Sequence, residues 1–266
     1  MINKKYEDQP NPSNIILGAG LAGLSAAYHS DFTIYEADSV PGGVAKSIDI
    51  NGFIFDLGIH VLHTNNKIIL RLLNDLDVKL DQLERNAWIY SHKVFTRFPF
   101  QANTYGLPPE IIKECLLGFI DNINKKNIEN YHQWLLYMFG EGFTKHFMEP
   151  YARKFWGIDP RQLSTEWVNV RHPRPTLEEV LHGALMDQTK GFGINSTFRY
   201  PVFGGYGNIA SQFARKLENR IIYNKRAVKI DPVENILYFQ DGTLVKYNKL
   251  LSSLPLKKVL QLLDYI

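Results

Sequence analysis

Two histidines, His60 and His63, lie three residues apart in the stretch GIHVLHTNN. Imidazole nitrogens bind metals and move protons near neutral pH, so the pair has three interpretations: a metal pair, a catalytic pair, or hydrogen-bonded core histidines. A closed zinc site needs four ligands, and a catalytic one at least three. The single cysteine, Cys115, and the other histidines give no cluster at a suitable spacing. The sequence therefore predicts no metal site, and it favours a structural role for His63.

A glycine-rich stretch, GAGLAG, is the second chemically suggestive feature, with Gly18, Gly20 and Gly23. It follows the apolar run of residues 14–17 and precedes LSAAYHS, which is rich in helix formers. This order is typical of a dinucleotide site: the first glycine permits a tight turn, the second a close approach to a pyrophosphate, and the third close packing of helix on strand. The helix N-terminus adds amide donors and the positive end of its dipole.

The next residues extend the same pattern. Glu36 ends a second apolar run, FTIYEA, about twenty residues into the motif, where an acid accepts hydrogen bonds from ribose hydroxyls. An ordinary glycine turn is the alternative, but strand, helix and acid all fall in place for a dinucleotide. Gly42 and Gly43 offer a second place where backbone can lie against a cofactor, although a simple Pro41-Gly42 turn would also explain the pair.

Composition limits the other classes of function. The chain has 266 residues, a formal net charge of +3 and no block of like charges, so nucleic acid is not suggested as a partner. One cysteine allows no internal disulfide, and neither a signal peptide nor a bilayer-length apolar run is visible. We therefore expect a cytoplasmic protein without a membrane span.

Local patterns predict the elements that position these residues. Asn51-Gly52 between IDI and FIFD predicts a hairpin, as does Asp241-Gly242 between NILYFQ and TLVKYN. NNKIILRLLNDL has a helical apolar period and a cap at Thr64 or Asn65. From about residue 97 to 198 the period is helical, and its aromatic residues are expected to be mainly core: Trp134, Phe139, Phe143 and Phe147.

These motifs carry a family resemblance. GAGLAG, Glu36, Gly42-Gly43 and FDLGIH resemble the amino half of the FAD-binding fold shared by amine oxidases, protoporphyrinogen oxidase and UDP-galactopyranose mutase. Four later stretches narrow the resemblance to the bacterial mutases: GIHVLHTNNK, FPFQANTYGLP, FMEPYARKFWGIDPRQLSTEWVNVR and NSTFRYPVFGGYGNIASQFARKL.

The resemblance implies an α/β fold, a Rossmann-like FAD-binding domain of the GR2 type with a helical substrate-domain insertion, C-terminally incomplete. It divides the chain into a first part of the FAD-binding domain (1–96), a helical substrate-binding insertion (97–198) and a second, truncated part of the FAD-binding domain (199–266). We expect such a chain to be poorly stable alone and to retain little flavin.

The resemblance also implies site residues. Gly58 and His60 would lie at the flavin ring, and the strand around Val228 would pass the adenine, with a plain core residue as the alternative for Val228. Arg171, fifteen residues after Trp156, would offset the charge of the departing diphosphate, although without the resemblance it reads as a surface or ion-paired arginine. The remaining substrate-binding residues by resemblance are Phe98, Phe100, Gln101, Trp156 and Asn195.

The implied activity is interconversion of UDP-galactopyranose and UDP-galactofuranose through an adduct between the sugar and N5 of reduced FAD, with NAD(P)H as one reductant left open. The expected partners are a UDP-sugar and, as open choices, a second copy of the chain or a complementing C-terminal half. Two alternatives stand beside it: a redox flavoenzyme of the amine oxidase or protoporphyrinogen oxidase type, and a non-catalytic remnant or half of a split enzyme. The isolated chain is thus either an isomerase, an oxidoreductase or inactive.

Overall fold

The computed structural model describes residues 5–6, 13–121, 128–168, 174–187 and 197–265. It forms two compact units: a first unit of Met1–Leu83 with Phe198–Ile266, and a second unit of Glu84–Thr197. The division after Leu83 comes earlier in the chain than the boundary at 96/97 expected from sequence, which stays a prediction. The second unit is thus inserted into the first.

The strands of the described residues run in chain order as follows: β1 Lys5–Tyr6, β2 Ser13–Leu17, β3 Thr33–Tyr35, β4 Ser47–Ile50, β5 Phe53–Asp56, β6 Leu80–Glu84, β7 Trp88–Ser91, β8 Val94–Arg97, β9 Thr197–Pro201, β10 Ile221–Ile222, β11 Ala227–Asp231, β12 Ile236–Phe239 and β13 Thr243–Ser252. The α-helices are α1 Leu21–Tyr28, α2 Lys67–Asp75, α3 Pro109–Ile120, α4 Tyr131–Phe143, α5 Glu149–Trp156, α6 Leu177–Leu185, α7 Asn208–Leu217 and α8 Leu256–Leu262. Among these described helices, none joins the length and the apolarity that crossing a bilayer requires.

The first unit is built on a mixed sheet of order β10-β3-β2-β13-β12-β11, with β1 also paired to β13. β10, β3, β2 and β13 run parallel, whereas β11 and β12 are antiparallel to their neighbours. Parallel strands buried on both faces read as continuous apolar runs, which is the pattern of residues 14–17. The α/β class predicted from sequence is confirmed.

Both faces of this sheet are covered. Alternate residues of β2 point to opposite sides, so Ile16 packs with α1, α2 and α7, and Ile15 and Leu17 pack in a separate core with α8. One face of α7 is buried here, because Ile209 and Phe213 are both 4% exposed. The glycine turn follows the carboxyl end of β2, and the packing of α1 on this sheet holds the turn in place.

Two local predictions in the first unit have different outcomes. Asn51 (φ 55°) and Gly52 (φ 85°) join β4 to β5 as the paired left-handed residues of a two-residue hairpin turn, as predicted. The cap predicted for α2 is wrong: it is Asn66, whose side-chain oxygen accepts from the Ile68 amide at 2.9 Å. A cap at Asn66 starts the helix one residue later than a cap at Asn65 would.

The second unit packs aromatic helices above a hairpin. Trp134, Phe139 and Phe143 are buried, and Phe147 packs against the same core, as expected from sequence. The hairpin β7–β8, which the sequence analysis does not predict, comes before these helices. The described α-helices of this unit begin at Pro109, twelve residues after the predicted start at about residue 97.

Helices α3 and α4 cross at backbone contact. A Cβ at Gly142 would lie 2.2 Å from the carbonyl oxygen of Glu114, and a Cβ at Gly140 would lie 2.0 Å from that of Gly118. Side chains keep helix axes 8–10 Å apart, so glycines are needed wherever backbones come closer. The position of α4 on α3 therefore depends on these glycines.

Asp241 gives the first unit a testable acid sensitivity. Its carboxylate accepts from the Thr243 hydroxyl at 2.6 Å and pairs with Lys225 at 2.9 Å. These interactions lower the pKa of Asp241 to about 2, and the hydrogen bond from the Thr243 hydroxyl contributes most. A depressed folded-state pKa means that this stabilisation is present above the unfolded-state pKa and is lost as pH falls toward 2. We expect Asp241→Asn to flatten the acid limb of a plot of unfolding free energy against pH between about 4 and 2, measured by urea titration; an unchanged limb would contradict this.

Candidate functional site

The turn between β2 and α1 requires two of its three glycines for its own geometry. Gly18 has φ +97°, and a Cβ there would lie 2.7 Å from the Ser253 hydroxyl. A Cβ at Gly23 would lie 2.0 Å from the carbonyl oxygen of Gly18. Positive φ and backbone contact both favour glycine, so the turn itself explains these two residues.

Gly20 is different, because nothing in the folded chain requires it to be glycine. Its φ of −69° and ψ of 169° are open to any residue, and a Cβ would meet no heavy atom within 4 Å. Gly20 caps α1 without a side-chain hydrogen bond, so amide donors of the first helical turn remain for another acceptor. Open space beside bare amides fits a phosphate at this position.

The Glu36 carboxylate links the glycine turn to the loop that follows β3. One carboxylate oxygen accepts from the Ala19 amide at 2.6 Å, and the other accepts from the Asp38 amide at 2.8 Å. Sequence reasoning gave Glu36 only a role toward ribose. Each carboxylate oxygen has a second lone pair, so these two bonds leave acceptor capacity for ribose hydroxyls.

The second glycine pair lies directly against the first turn. Gly20 and Gly42 form a parallel bridge, and the Gly42 amide donates to the Ala19 carbonyl at 2.8 Å. Gly42 has φ +114° and Gly43 has φ +56°. The two glycine segments therefore present adjacent backbone, which no single Pro-Gly turn would need.

Asp56, at the end of β5, is the centre of a polar network that the sequence did not reveal. Its Oδ1 accepts from the Ser47 hydroxyl at 2.6 Å and from the Tyr206 amide at 3.0 Å. Its Oδ2 accepts from the Tyr200 hydroxyl at 2.6 Å. The ring of Tyr206 in turn stacks on His60, with centroids 5.2 Å apart and planes 25° apart. His60, predicted to be functional, is thus joined to a network formed across the first unit.

The network fixes the charge state of Asp56. Burial alone would raise the pKa of Asp56, but the hydrogen bonds from Ser47, Tyr200 and the Tyr206 amide outweigh it and lower the pKa. Burial and the Asp56 carboxylate raise the pKa of Tyr200 to about 12. Asp56 is therefore an anion, and Tyr200 a hydrogen-bond donor, at neutral pH.

His60 and its neighbour His63 have different surroundings. The Nδ1 atom of His60 is buried and has no hydrogen-bond partner in the structure. His63 is exposed and meets the ring of Phe198 edge-on at 6.2 Å. Among the described residues no three His, Cys, Asp or Glu side chains come together as metal ligands do.

An aromatic ladder runs along the second unit and includes Trp156. Phe147 stacks on Tyr151 at 5.3 Å and 15°, and Tyr151 stacks on Phe155 at 5.9 Å and 26°. Trp156 meets Phe155 and Trp167 edge-on, each at 4.9 Å. Tyr151, Phe155 and Trp156 are 49%, 62% and 42% exposed. Sequence reasoning singled out only Trp156, although the spacing 147, 151, 155 puts the other rings on one helical face.

The predicted substrate residues Phe98, Phe100 and Gln101 differ in their exposure. Phe98 is 36% exposed and lies under the Arg85 guanidinium, 4.5 Å from its ring centroid. Phe100 is fully buried, 4.7 Å from Phe147 at 11°. The Phe100 ring is therefore already stacked inside the core, and its substrate-binding role stays a prediction. Gln101 is also buried, at 8% exposure.

The remaining predicted site residues are Arg171, Asn195, Gly58 and Val228. Arg171 and Asn195 lie outside the described residues. Gly58 has φ +90° with open space where a Cβ would be. Val228 is 49% exposed on β11, so the alternative that it is plain core is wrong. Its contact with an adenine stays a prediction.

Comparison with known proteins decides the family. The family model described as flavin containing amine oxidoreductase matches residues 21–263. The chain belongs to this family. The family and its relatives support a flavin as the cofactor, which agrees with the open, glycine-lined turn at Gly20.

Individual relatives fall into two kinds. A crystal structure of reduced UDP-galactopyranose mutase superposes with a TM-score of 0.85 and 31% identity, over 95% of this chain and 57% of that chain. A redesigned putrescine oxidase gives a TM-score of 0.60 at 15% identity, which shows the fold alone. Among curated proteins, L-amino-acid oxidase of Crotalus adamanteus is 28% identical over 43% of this chain and 25% of its own length. Coproporphyrinogen III oxidase of Staphylococcus aureus is 34% identical over 25% of this chain and 16% of its own length. The chain thus spans about a quarter or less of these oxidases, and 57% of the mutase chain.

Proposed function

We propose that this flavoprotein acts in UDP-galactopyranose mutase chemistry, the interconversion of UDP-galactopyranose and UDP-galactofuranose on reduced FAD. The observation that carries the proposal is the mutase comparison. It combines 31% identity with nearly full coverage of this chain and a TM-score of 0.85, against 15% and 0.60 for putrescine oxidase. Two of the stretches that resemble the mutases, FPFQANTYGLP and FMEPYARKFWGIDPRQLSTEWVNVR, belong to the second unit.

In this proposal the first unit holds the FAD. The amides at the start of α1 and the backbone of Gly20 and Gly43 would face the pyrophosphate, and Glu36 would accept from a ribose. Gly58 and His60 would lie along the ring system, and the backbone at Val228 would meet the adenine. When bound and reduced, the flavin supplies a nucleophilic N5 for the anomeric carbon of the sugar. NAD(P)H is the reductant to be tested first.

The second unit would bind the uridine diphosphate. Half-exposed, mutually stacked rings form a preorganised apolar surface, and every nucleobase has a π-face that can stack on it. Trp156 is held by two edge-on aromatic neighbours, so little side-chain freedom is lost when a base binds. Arg171 and Asn195 would add charge-assisted and neutral hydrogen bonds, and Phe98 and Gln101 would border the same pocket.

The experiment that tests the proposal is calorimetric titration of the full chain with UDP, followed by Trp156→Ala. Stacking contributes about 1–3 kcal/mol per base, so we expect Kd for UDP to rise about five- to hundredfold. Trp88→Ala is the matched control, because Trp88 is 49% exposed in the same unit but stands outside the aromatic ladder. Equal effects of the two substitutions, or no UDP binding by the unsubstituted chain loaded with FAD, would count against a UDP-sugar substrate.

A redox flavoenzyme is the second candidate, favoured by the oxidases among the relatives. An oxidase would reoxidise its flavin with oxygen during turnover, whereas the mutase reaction has no net redox change. Oxygen consumption with amines or amino acids, in the absence of UDP binding, would decide for this alternative.

A further inference from the structure

We infer that Asp56 is a positioning residue for His60 and acts through Tyr206. The inference rests on the proposed function, in which His60 lies beside the flavin ring. It concerns the network of Ser47, Asp56, Tyr200 and Tyr206, to which neither the family nor the mutase comparison gives a role.

The orientation of the His60 ring is set by its stacking on Tyr206. Its Nδ1 is buried and unpartnered, so no hydrogen bond at that nitrogen sets the ring plane. The nearly parallel stack on Tyr206, at 5.2 Å and 25°, is the described ring contact of His60. The plane of His60 therefore follows the position of Tyr206.

The position of Tyr206 is set by hydrogen bonds of two successive backbone amides. Its amide donates to Asp56, and the next amide, that of Gly207, donates to the Ser47 hydroxyl at 2.8 Å. Ser47 itself donates to Asp56, so both amides are held by one carboxylate, directly or through one hydroxyl. A single anion thus sets the path of this loop.

The loop around Tyr206 fits tightly against Ser47 and the Asp56 carboxylate. Gly205 has φ +68°, and a Cβ there would lie 2.5 Å from the Ser47 hydroxyl and 2.8 Å from Asp56 Oδ1. A Cβ at Gly207 would lie 2.4 Å from the Ser47 amide. The loop backbone lies directly against Ser47 and Asp56 without side chains between them. A change at Asp56 is therefore transmitted to Tyr206 rather than absorbed.

The test is Asp56→Asn in the full chain, which replaces an acceptor of three hydrogen bonds by a group that carries a donor. Asp49→Asn is the matched control: it lies in the same hairpin, where it accepts from the Gly52 amide at 2.8 Å. We expect the nuclear Overhauser contact between the His60 and Tyr206 rings to be lost in Asp56→Asn and kept in Asp49→Asn. The His60 signals are assigned with His60→Gln, before any flavin or substrate is added.

Two functional readouts separate positioning from mere stability. With FAD bound, we expect the flavin midpoint potential to shift in Asp56→Asn but not in Asp49→Asn. A misplaced group can cost about 100-fold in rate, so we expect kcat to fall about ten- to hundredfold while KM for the UDP-sugar stays within about twofold. Tyr206→Leu should reproduce the losses, and Tyr206→Phe, which keeps the ring, should recover most of them.

A ring contact that survives in Asp56→Asn overturns the inference, and so does a lost contact with unchanged potential and kcat. If Asp56→Asn does not fold, Ser47→Ala removes one donor to Asp56 and the acceptor of Gly207, and the same outcomes apply. An inactive wild-type chain would contradict the proposed function alone, because the ring contact and the flavin potential are measured without the sugar reaction.

Discussion

Gly20→Ala is expected to abolish or strongly weaken flavin binding while leaving the fold intact. The backbone of Gly20 adopts angles that alanine accepts, and the new methyl group would enter open space in the chain without ligand. That same space is where a pyrophosphate must approach the turn. A methyl group there displaces hydrogen bonds to a charged group, each contributing about 1.5–3 kcal/mol. We therefore expect Kd for FAD to rise about ten- to hundredfold or more.

The neighbouring glycine provides the opposite control. Gly23→Ala places a methyl group 2.0 Å from the Gly18 carbonyl, so it should lower stability whether or not flavin is present. Gly20→Ser is the second control, since serine is a preferred helix N-cap. It should preserve stability and still lose flavin. Flavin absorbance after equilibrium dialysis gives the affinity, and urea unfolding gives the stability. Retained flavin in Gly20→Ala would place the cofactor elsewhere.

These two glycines show what the sequence can and cannot reveal. The motif spacing predicted strand, turn, helix and acid because those features depend on neighbours within about twenty residues. The same motif assigned Gly20 to the approach of a pyrophosphate and Gly23 to the packing of helix on strand. Only the atoms around each glycine show that a Cβ at Gly20 would meet nothing within 4 Å, whereas one at Gly23 would lie 2.0 Å from the Gly18 carbonyl oxygen. The same limit applies to Glu36, whose bonds to two loop amides were not foreseen.

The missed parts of the site have one physical cause: they join segments that are distant in sequence. Asp56 meets Tyr200 and Tyr206, 144 and 150 residues later, and nothing in FIFDLG indicates such partners. The burial of Phe100 arises likewise, because Phe147 covers it from another helix. Long-range contacts follow from how elements pack, and local period does not encode their register.

The hairpin β7–β8 was missed for a local reason. Its turn residues are His92 (φ 50°) and Lys93 (φ 65°), two non-glycine residues in the left-handed region. Hairpin turns of this geometry are recognised by Asn-Gly or Asp-Gly, the signals that correctly located the turns at Asn51-Gly52 and Asp241-Gly242. Without that signal, the sequence predicts no element between residues 88 and 96 and leaves them in the first part of the FAD-binding domain.

Gly140→Ala is expected to have the largest effect on stability and to destabilise the second unit strongly. Gly140 has φ 78° and ψ 175°, a region that only glycine populates, at a cost of about 1–3 kcal/mol for other residues. Its Cβ would also lie 2.0 Å from the Gly118 carbonyl and 2.8 Å from the Phe119 amide, both backbone atoms that cannot rotate away. Overpacking of this kind costs about 1–3 kcal/mol or more. The two costs together, about 2–6 kcal/mol or more, reach the lower end of the stability of a whole folded domain, about 5–15 kcal/mol.

Gly157→Ala separates the two contributions to that loss. Gly157 also has a positive φ, 70°, but a Cβ there meets no heavy atom within 4 Å. It should lose only the conformational cost, about 1–2 kcal/mol. All four tryptophans, at positions 88, 134, 156 and 167, lie in the second unit, so tryptophan fluorescence during urea unfolding reports on that unit alone. A much lower midpoint for Gly140→Ala than for Gly157→Ala would show that the backbone contact of α3 with α4 holds the aromatic unit together. Equal midpoints would instead assign the whole effect to backbone conformation, and the close helix crossing would not be what orders the aromatic ladder.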